Sequence, residues 1–207
     1  MPITPADVER IFRGSGALRD GHFVLASGRH SPTYLEKFQV LQHPVQTERL
    51  CGAIADRARP LDLATVAGPT MGGVILAHEV ARQLGLRAVY AERPQNAAGR
   101  EFRRGFELGR GERVLVVDDI MTTGGSVQET MDAVRSAGAT VVGAAVLVDR
   151  SGGAARLDVP LHALWTLEIP TYAPSECPLC AKGLPATHPG TSGLGDSAPR
   201  EPPVEVA

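Results

Sequence analysis

The chain has 207 residues, 43% of them hydrophobic and 21% charged, with a net charge of −2. That is the composition of an ordinary globular chain with room for a core. It disfavours a general nucleic-acid binder, whose affinity would rest on a basic surface. No apolar run reaches the roughly 18 residues of a membrane span, and no basic stretch leads into an apolar one at the N-terminus, so neither a membrane helix nor a signal peptide is expected. Three cysteines, Cys51, Cys177 and Cys180, do not describe a disulfide scaffold and fit a reducing, cytoplasmic setting. Only Lys37 and Lys182 are lysines, so 19 of the 21 basic residues are arginine.

In chain order, Thr4 reads as a helix N-cap, with Pro5 in the first helical position and Asp7 in the first turn. That helix should end by Gly14. Residues 21–34 read as strand and turns. Residues 44–58 form a helix, with Val45, Leu50, Ala53 and Ile54 as its apolar face. The chain then alternates: strand 63–67, helix 72–84, strand 86–90, strand 114–117, helix 125–137, strand 140–148 and strand 161–169. Alternation of this kind predicts an α/β fold around a mostly parallel sheet. Residues 92–109 hold four arginines and no sustained period, as a functional or mobile loop would. Residues 185–207 hold five prolines and no aromatic, which reads as a disordered tail.

The informative segment is 114–126. An apolar strand, Val114 to Val117, leads to Asp118 and Asp119. Ile120, Met121, Thr122, Thr123, Gly124, Gly125 and Ser126 then lead into a helix. Ligands in open α/β sheets bind beyond the carboxyl ends of strands. A small-residue loop opening a helix can aim N–H groups and hydroxyls at a phosphate. With no lysine after the glycines it is not a Walker A loop, and GxGxxG is missing. The two carboxylates add acceptors for vicinal hydroxyls, so the segment reads as a cradle for a ribose 5-phosphate.

This segment resembles the binding motif for 5-phosphoribosyl 1-pyrophosphate (PRPP) of the type I phosphoribosyltransferases, and the resemblance extends over about residues 1–182. Within them the chain is most similar to the orotate phosphoribosyltransferases. Ser27-Gly28-Arg29-His30-Ser31-Pro32 resembles the stretch that lies over orotate. Gly68-Pro69-Thr70-Met71-Gly72-Gly73 resembles the pyrophosphate loop. Asp149-Arg150 ends a strand where the orotate enzymes place an arginine on the substrate carboxylate. The resemblance implies a core of about 41–154, a small hood from about 1–40 and 155–182, and a tail from 183. It implies transfer of the phosphoribosyl group of PRPP to orotate in UMP biosynthesis, with Mg²⁺ held through PRPP and water rather than by protein ligands, in a homodimer. Asp118 and Asp119 would hold the ribose hydroxyls, residues 120–126 the 5′-phosphate, and Thr70, Met71 and Gly72 the pyrophosphate. Thr122, Arg150, Ser27, Gly28 and Arg29 would contact orotate.

The chain departs from this pattern in the 92–105 segment, where many orotate enzymes carry lysines and a histidine. Arg93 stands nearest the first loop lysine and is the catalytic candidate there. Arg100, Arg103 and Arg104 are candidates for further pyrophosphate contacts. Arginine clamps phosphate well but is a poor proton donor. Three alternatives stay open at Cys177-Pro178-Leu179-Cys180: half a zinc site with His188 as a third ligand, a redox pair, or a structural turn. Two functions compete with orotate transfer. One is transfer to a purine or uracil, and the other is a PRPP-sensing regulator.

Overall fold

The structure is a computed structural model and describes residues 3–95 and 97–189. The elements in chain order are α1 (Pro5–Gly14), β1 (Leu18–Val24), β2 (His30–Leu35), α2 (Phe38–Leu41), α3 (Pro44–Ala58), β3 (Thr65–Pro69), α4 (Gly72–Leu84) and β4 (Arg87–Glu92). Next come β5 (Glu101–Phe102), β6 (Arg113–Met121), α5 (Gly125–Ser136), β7 (Thr140–Asp149), β8 (Leu161–Thr166), a 3₁₀ turn (Pro174–Glu176) and α6 (Pro178–Ala181). Among the described residues no helix is long and apolar enough to cross a membrane.

The chain divides into two units, one of residues 3–9 with 41–168, the other of 10–40 with 169–189. The larger unit is built on a six-stranded sheet in the order β5-β4-β3-β6-β7-β8. Every pairing in it is parallel except that of β5 with β4. From β3 the chain crosses through α4 to β4 on one side, and from β6 through α5 to β7 on the other. The strand order therefore reverses between β3 and β6, which opens a crevice at their carboxyl ends. All of β3 is buried, as are residues 114–119 of β6. A shared cluster of Val114, Val116, Val127, Met131, Val134 and Val146 fixes α5 against the sheet. Each such side chain contributes about 1.5–3 kcal/mol by leaving water.

Local chemistry explains the element ends. Thr4 Oγ1 accepts from Asp7 N–H at 3.2 Å while Asp7 Oδ2 accepts from Thr4 N–H at 3.0 Å, a reciprocal cap on α1. Gly85, at φ +69°, ends α4.

Several expectations are corrected. The face of α3 is Thr47, Leu50, Cys51, Ile54, Ala55 and Ala58, and Val45 is 73% exposed. Buried positions 47, 50, 51, 54, 55 and 58 follow one helical stripe, and at 100° per residue Val45 falls on the opposite face. The strand expected at 114–117 runs on through both aspartates to Met121, because pairing with β7 continues to Met121↔Asp149. The 92–109 segment is not wholly irregular: β5 folds back on β4 through Ala91↔Phe102 and Glu92↔Glu101. Strand β8 pairs with β7 in the large sheet, which places residues 155–168 with the core rather than with the hood. Order also persists beyond 182, for Thr187 exchanges hydrogen bonds with His22 and Val24. The expected tail falls, from residue 190, outside the described residues.

Candidate active site

Two loops flank the crevice. The first joins β3 to α4. It is tight because three glycines bring its backbone into contact. A Cβ on Gly68 would lie 2.2 Å from Gly73 O, and one on Gly73 would lie 2.5 Å from Pro69 Cδ. Thr70 donates its N–H to Ala91 O at 3.1 Å, which ties the loop to β4. The Thr70–Met71 peptide is cis, and Met71 is 69% exposed.

The second loop joins β6 to α5. Asp118 is 6% exposed and Asp119 1%. A charge so buried needs compensation. Asp118 Oδ1 accepts the Asp119 N–H at 2.9 Å, and Asp119 Oδ1 accepts the Ile120 N–H at 2.6 Å. A Cβ on Gly72 would fall 1.4 Å from Asp119 Oδ2. The Asp119 carboxylate therefore lies on the backbone of the first residue of α4, where the positive end of that helix favours it. Beyond the strand, Thr122 and Thr123 are exposed and Gly124 has φ +85°. Gly124 is also the N-cap of α5 and has no side chain with which to cap it. The first-turn N–H groups of a twelve-residue helix, beside two hydroxyls, are the kind of donor set that can receive an anion. Ile120 and Ser126 are half-buried, and Met121 is buried.

The adjacent strand brings in Arg150. Its N–H donates to Met121 O at 2.7 Å, which fixes its backbone beside the cradle. Its side chain is half-buried. Asp149 is buried, and its Oδ1 accepts the Ser151 N–H at 2.8 Å.

The four loop arginines separate. Arg100 donates to Thr70 Oγ1 at 3.2 Å and to Ala91 O at 3.3 Å, and its Nε lies 3.4 Å from Glu129 Oε2. Its side chain is only 5% exposed. Burial pushes the guanidinium below its ordinary value, Glu129 and Asp118 oppose that drop, and Arg93 adds to it. Arg93 is 70% exposed along its side chain and stands 3.8 Å from Glu129. Arg103 pairs with Glu101 at 3.4 Å, and Arg104 with Glu92 at 2.9 Å, both along the β4–β5 hairpin. Arg100 is thus the arginine brought to Thr70, whereas Arg103 and Arg104 are brought to hairpin carboxylates. Glu129, on α5, was not legible as a site residue. Nothing in its helical spacing signals that a hairpin from another part of the chain will deliver two arginines to it.

Ser27, Gly28 and Arg29 lie in the smaller unit. They form the turn between β1 and β2, closed by Leu25 N–H to Arg29 O and Gly28 N–H to Leu25 O, both 2.8 Å. All three residues are exposed. Arg29 is anchored there, its Nε on Thr171 Oγ1 at 2.9 Å and its Nη2 on Thr171 O at 2.7 Å.

The structure thus brings together two buried carboxylates near the end of β6, the uncapped start of α5 and the glycine-rich turn before α4. The family profile for the phosphoribosyl transferase domain matches residues 50–164. The orotate phosphoribosyltransferase of Pelotomaculum thermopropionicum is 50% identical over 91% of this chain and 98% of its own length. That of Desulforamulus reducens is 50% identical over 87% of this chain and 94% of its own. The crystal structure of orotate phosphoribosyltransferase from Aeropyrum pernix superposes with a TM-score of 0.67 at 30% identity, over 77% of this chain and 93% of that one. The chain is thus a phosphoribosyltransferase with the type I fold. Within that class it belongs to the orotate phosphoribosyltransferase family.

Proposed function

We propose that the protein performs its family's reaction, moving the 5-phosphoribosyl group from PRPP to orotate to give orotidine 5′-monophosphate and pyrophosphate. The observation that carries this reading is the Asp118–Asp119 pair set between the α5 start and the β3–α4 turn. Asp118 and Asp119 accept hydrogen bonds from the ribose hydroxyls. The N–H groups and hydroxyls of residues 122–126 hold the 5′-phosphate. Thr70, Met71 and Gly72 face the pyrophosphate, with Arg100 behind Thr70. The bond from C1 to pyrophosphate breaks as the base nitrogen closes on C1, so the protein's work is positioning and charge compensation.

The donor set suits Mg²⁺, since Asp118 and Asp119 offer hard oxygens that would hold a hydrated ion through water and substrate. Bound with PRPP, that ion would neutralise the leaving pyrophosphate. Arg150 and Thr122 recognise orotate, Arg150 by a two-pronged match to its carboxylate. Arg93 is the exposed loop residue available to the leaving group. The loop's arginines stay charged and give up no proton in the ordinary range, so pyrophosphate leaves without loop acid catalysis. The enzyme works as a cytoplasmic homodimer.

The test is a base panel. With PRPP and Mg²⁺, orotate absorbance falls and adenine, guanine, hypoxanthine and uracil are not consumed. Consumption of another base, or PRPP binding with no orotate loss, overturns the reading.

A further inference from the structure

The smaller unit draws together four groups that the transferase reaction does not use. The register of β1 on β2 shifts between Asp20 and Phe23. Such a bulge re-aims a side chain, and His22 is turned inward to 6% exposure. His30 begins β2, held by reciprocal 2.9 Å hydrogen bonds with the backbone of Tyr172. Cys177 precedes α6 and is 3% exposed, and Cys180 lies one turn on. Ligand atoms of all four lie within 4.8 Å of one another. His22 Nε2 is 2.8 Å from His30 Nδ1, 3.6 Å from Cys177 Sγ and 3.7 Å from Cys180 Sγ. Cys180 Sγ is 3.2 Å from His30 Nδ1.

We infer that His22, His30, Cys177 and Cys180 form a structural zinc site. A tetrahedral zinc ion, with bonds of about 2.3 Å to sulfur and about 2.0 Å to nitrogen, sets S···N edges of about 3.5 Å and an N···N edge of about 3.3 Å. The three S···N distances fall around that edge, and the imidazoles need to part by only about half an ångström. The second nitrogen of His22 supports the assignment independently. His22 Nδ1 donates to Leu184 O at 2.8 Å, which fixes the tautomer and turns the Nε2 lone pair into the cluster.

Two thiolates and two imidazoles select zinc over the harder cations, and four protein ligands leave no open position for catalysis. Both cysteines are free thiols rather than a disulfide. His188, the third ligand suggested by the sequence, is not in the group. The ligands His22 and His30 come from residues more than 140 positions away from the thiols. The ion therefore staples the β1–β2 hairpin to the chain after residue 169. A unit this short has little core of its own, which is where a metal stabilises most. The site also holds the turn of residues 27–29, since His30 follows it directly.

The experiment uses the full chain, expressed without a metal-binding tag and with no metal added, and measures zinc by mass spectrometry. About one zinc per chain is expected. It should be released by a mercurial thiol reagent, and chelation should lower Tm by several degrees. Replacement by Co²⁺ should give the strong visible bands of a tetrahedral site with a thiolate-to-cobalt band in the near ultraviolet. Cys180→Ser, at an exposed thiol, should lose at least nine-tenths of the metal, while His188→Ala keeps it. Reduced protein that is free of zinc and gives no thiolate band with Co²⁺ overturns the assignment. So does zinc retained by the Cys177→Ser/Cys180→Ser double variant, or a Cys177–Cys180 disulfide in the protein as isolated.

Discussion

The two ends of the central sheet use the same chemistry for opposite purposes. At the amino end of β6, Glu112 accepts from the Thr65 hydroxyl, from Gly109 N–H at 2.6 Å and from Arg87 at 2.8 Å, so its carboxylate closes three strands together. At the carboxyl end of the same strand, Asp118 and Asp119 take their nearest neighbours' N–H groups through one oxygen each, amid glycines and exposed threonines. One carboxylate is enclosed by protein partners that hold strands in register. The other pair is buried beside the start of α5, which no side chain caps. A carboxylate largely withdrawn from solvent is therefore not by itself a sign of a site. What separates the two is whether the surrounding donors serve the fold or face a place where a ligand fits.

That contrast can be broken from either end. Asp118→Asn with Asp119→Asn keeps both Oδ1 acceptors but removes the charge. Turnover should fall by roughly 10²–10⁴-fold, from two charge-assisted hydrogen bonds of about 1.5–3 kcal/mol each, while Tm stays near that of the wild type. A large loss of Tm would assign this pair to the fold, like Glu112. Gly72→Ala comes next. Its Cβ would meet Asp119 Oδ2 at 1.4 Å, so the carboxylate must move. Steady-state kinetics should show at least a roughly tenfold loss, and denaturant unfolding a cost of about 1–3 kcal/mol, typical of overpacking. Unchanged kinetics would mean that the position of Asp119 does not matter.

At the other end, Glu112→Gln should cost about 1–2 kcal/mol in urea unfolding and leave kcat close to wild type. Burial alone would raise the Glu112 carboxyl. Thr65, Gly109 and Arg87 outweigh it, and the group lies below its ordinary value of 4.5. A carboxyl depressed on folding stabilises fully above its unfolded value and loses that contribution as the pH falls through the folded one. The difference in stability between wild type and variant should therefore be complete at neutral pH and shrink below about pH 4. A difference independent of pH would contradict this. The smallest effect is expected outside both ends: Thr4→Ala removes a cap and should lower stability by about 1 kcal/mol with no change in kinetics.

The sequence carries the parallel sheet well, because alternating apolar strands and capped helices are local patterns. It carries the strand–loop–helix course of residues 114–126 too, since they are contiguous. It misses the features that depend on long-range assembly. That Asp118 and Asp119 lie inside a strand comes from pairing with β7, not from their own propensity. Strand β5 is only two residues long and has no period to read. Arg100 becomes the arginine nearest Thr70 only because the hairpin returns it to β4. His22 and His30 show no spacing toward Cys177 and Cys180, because a bulge and a distant segment make them neighbours.

The 2.7 Å bond from Arg150 N–H to Met121 O joins the ends of two neighbouring strands. It holds the connection leaving Asp149 in a fixed position relative to the loop leaving Met121. The segment proposed to choose a base and the segment proposed to grip the sugar phosphate thus share one anchorage and are otherwise separate stretches of chain. On that proposal, selectivity can be rewritten after residue 149 without disturbing the sugar-phosphate grip. One scaffold of this kind can serve many acceptors through edits to a single connection.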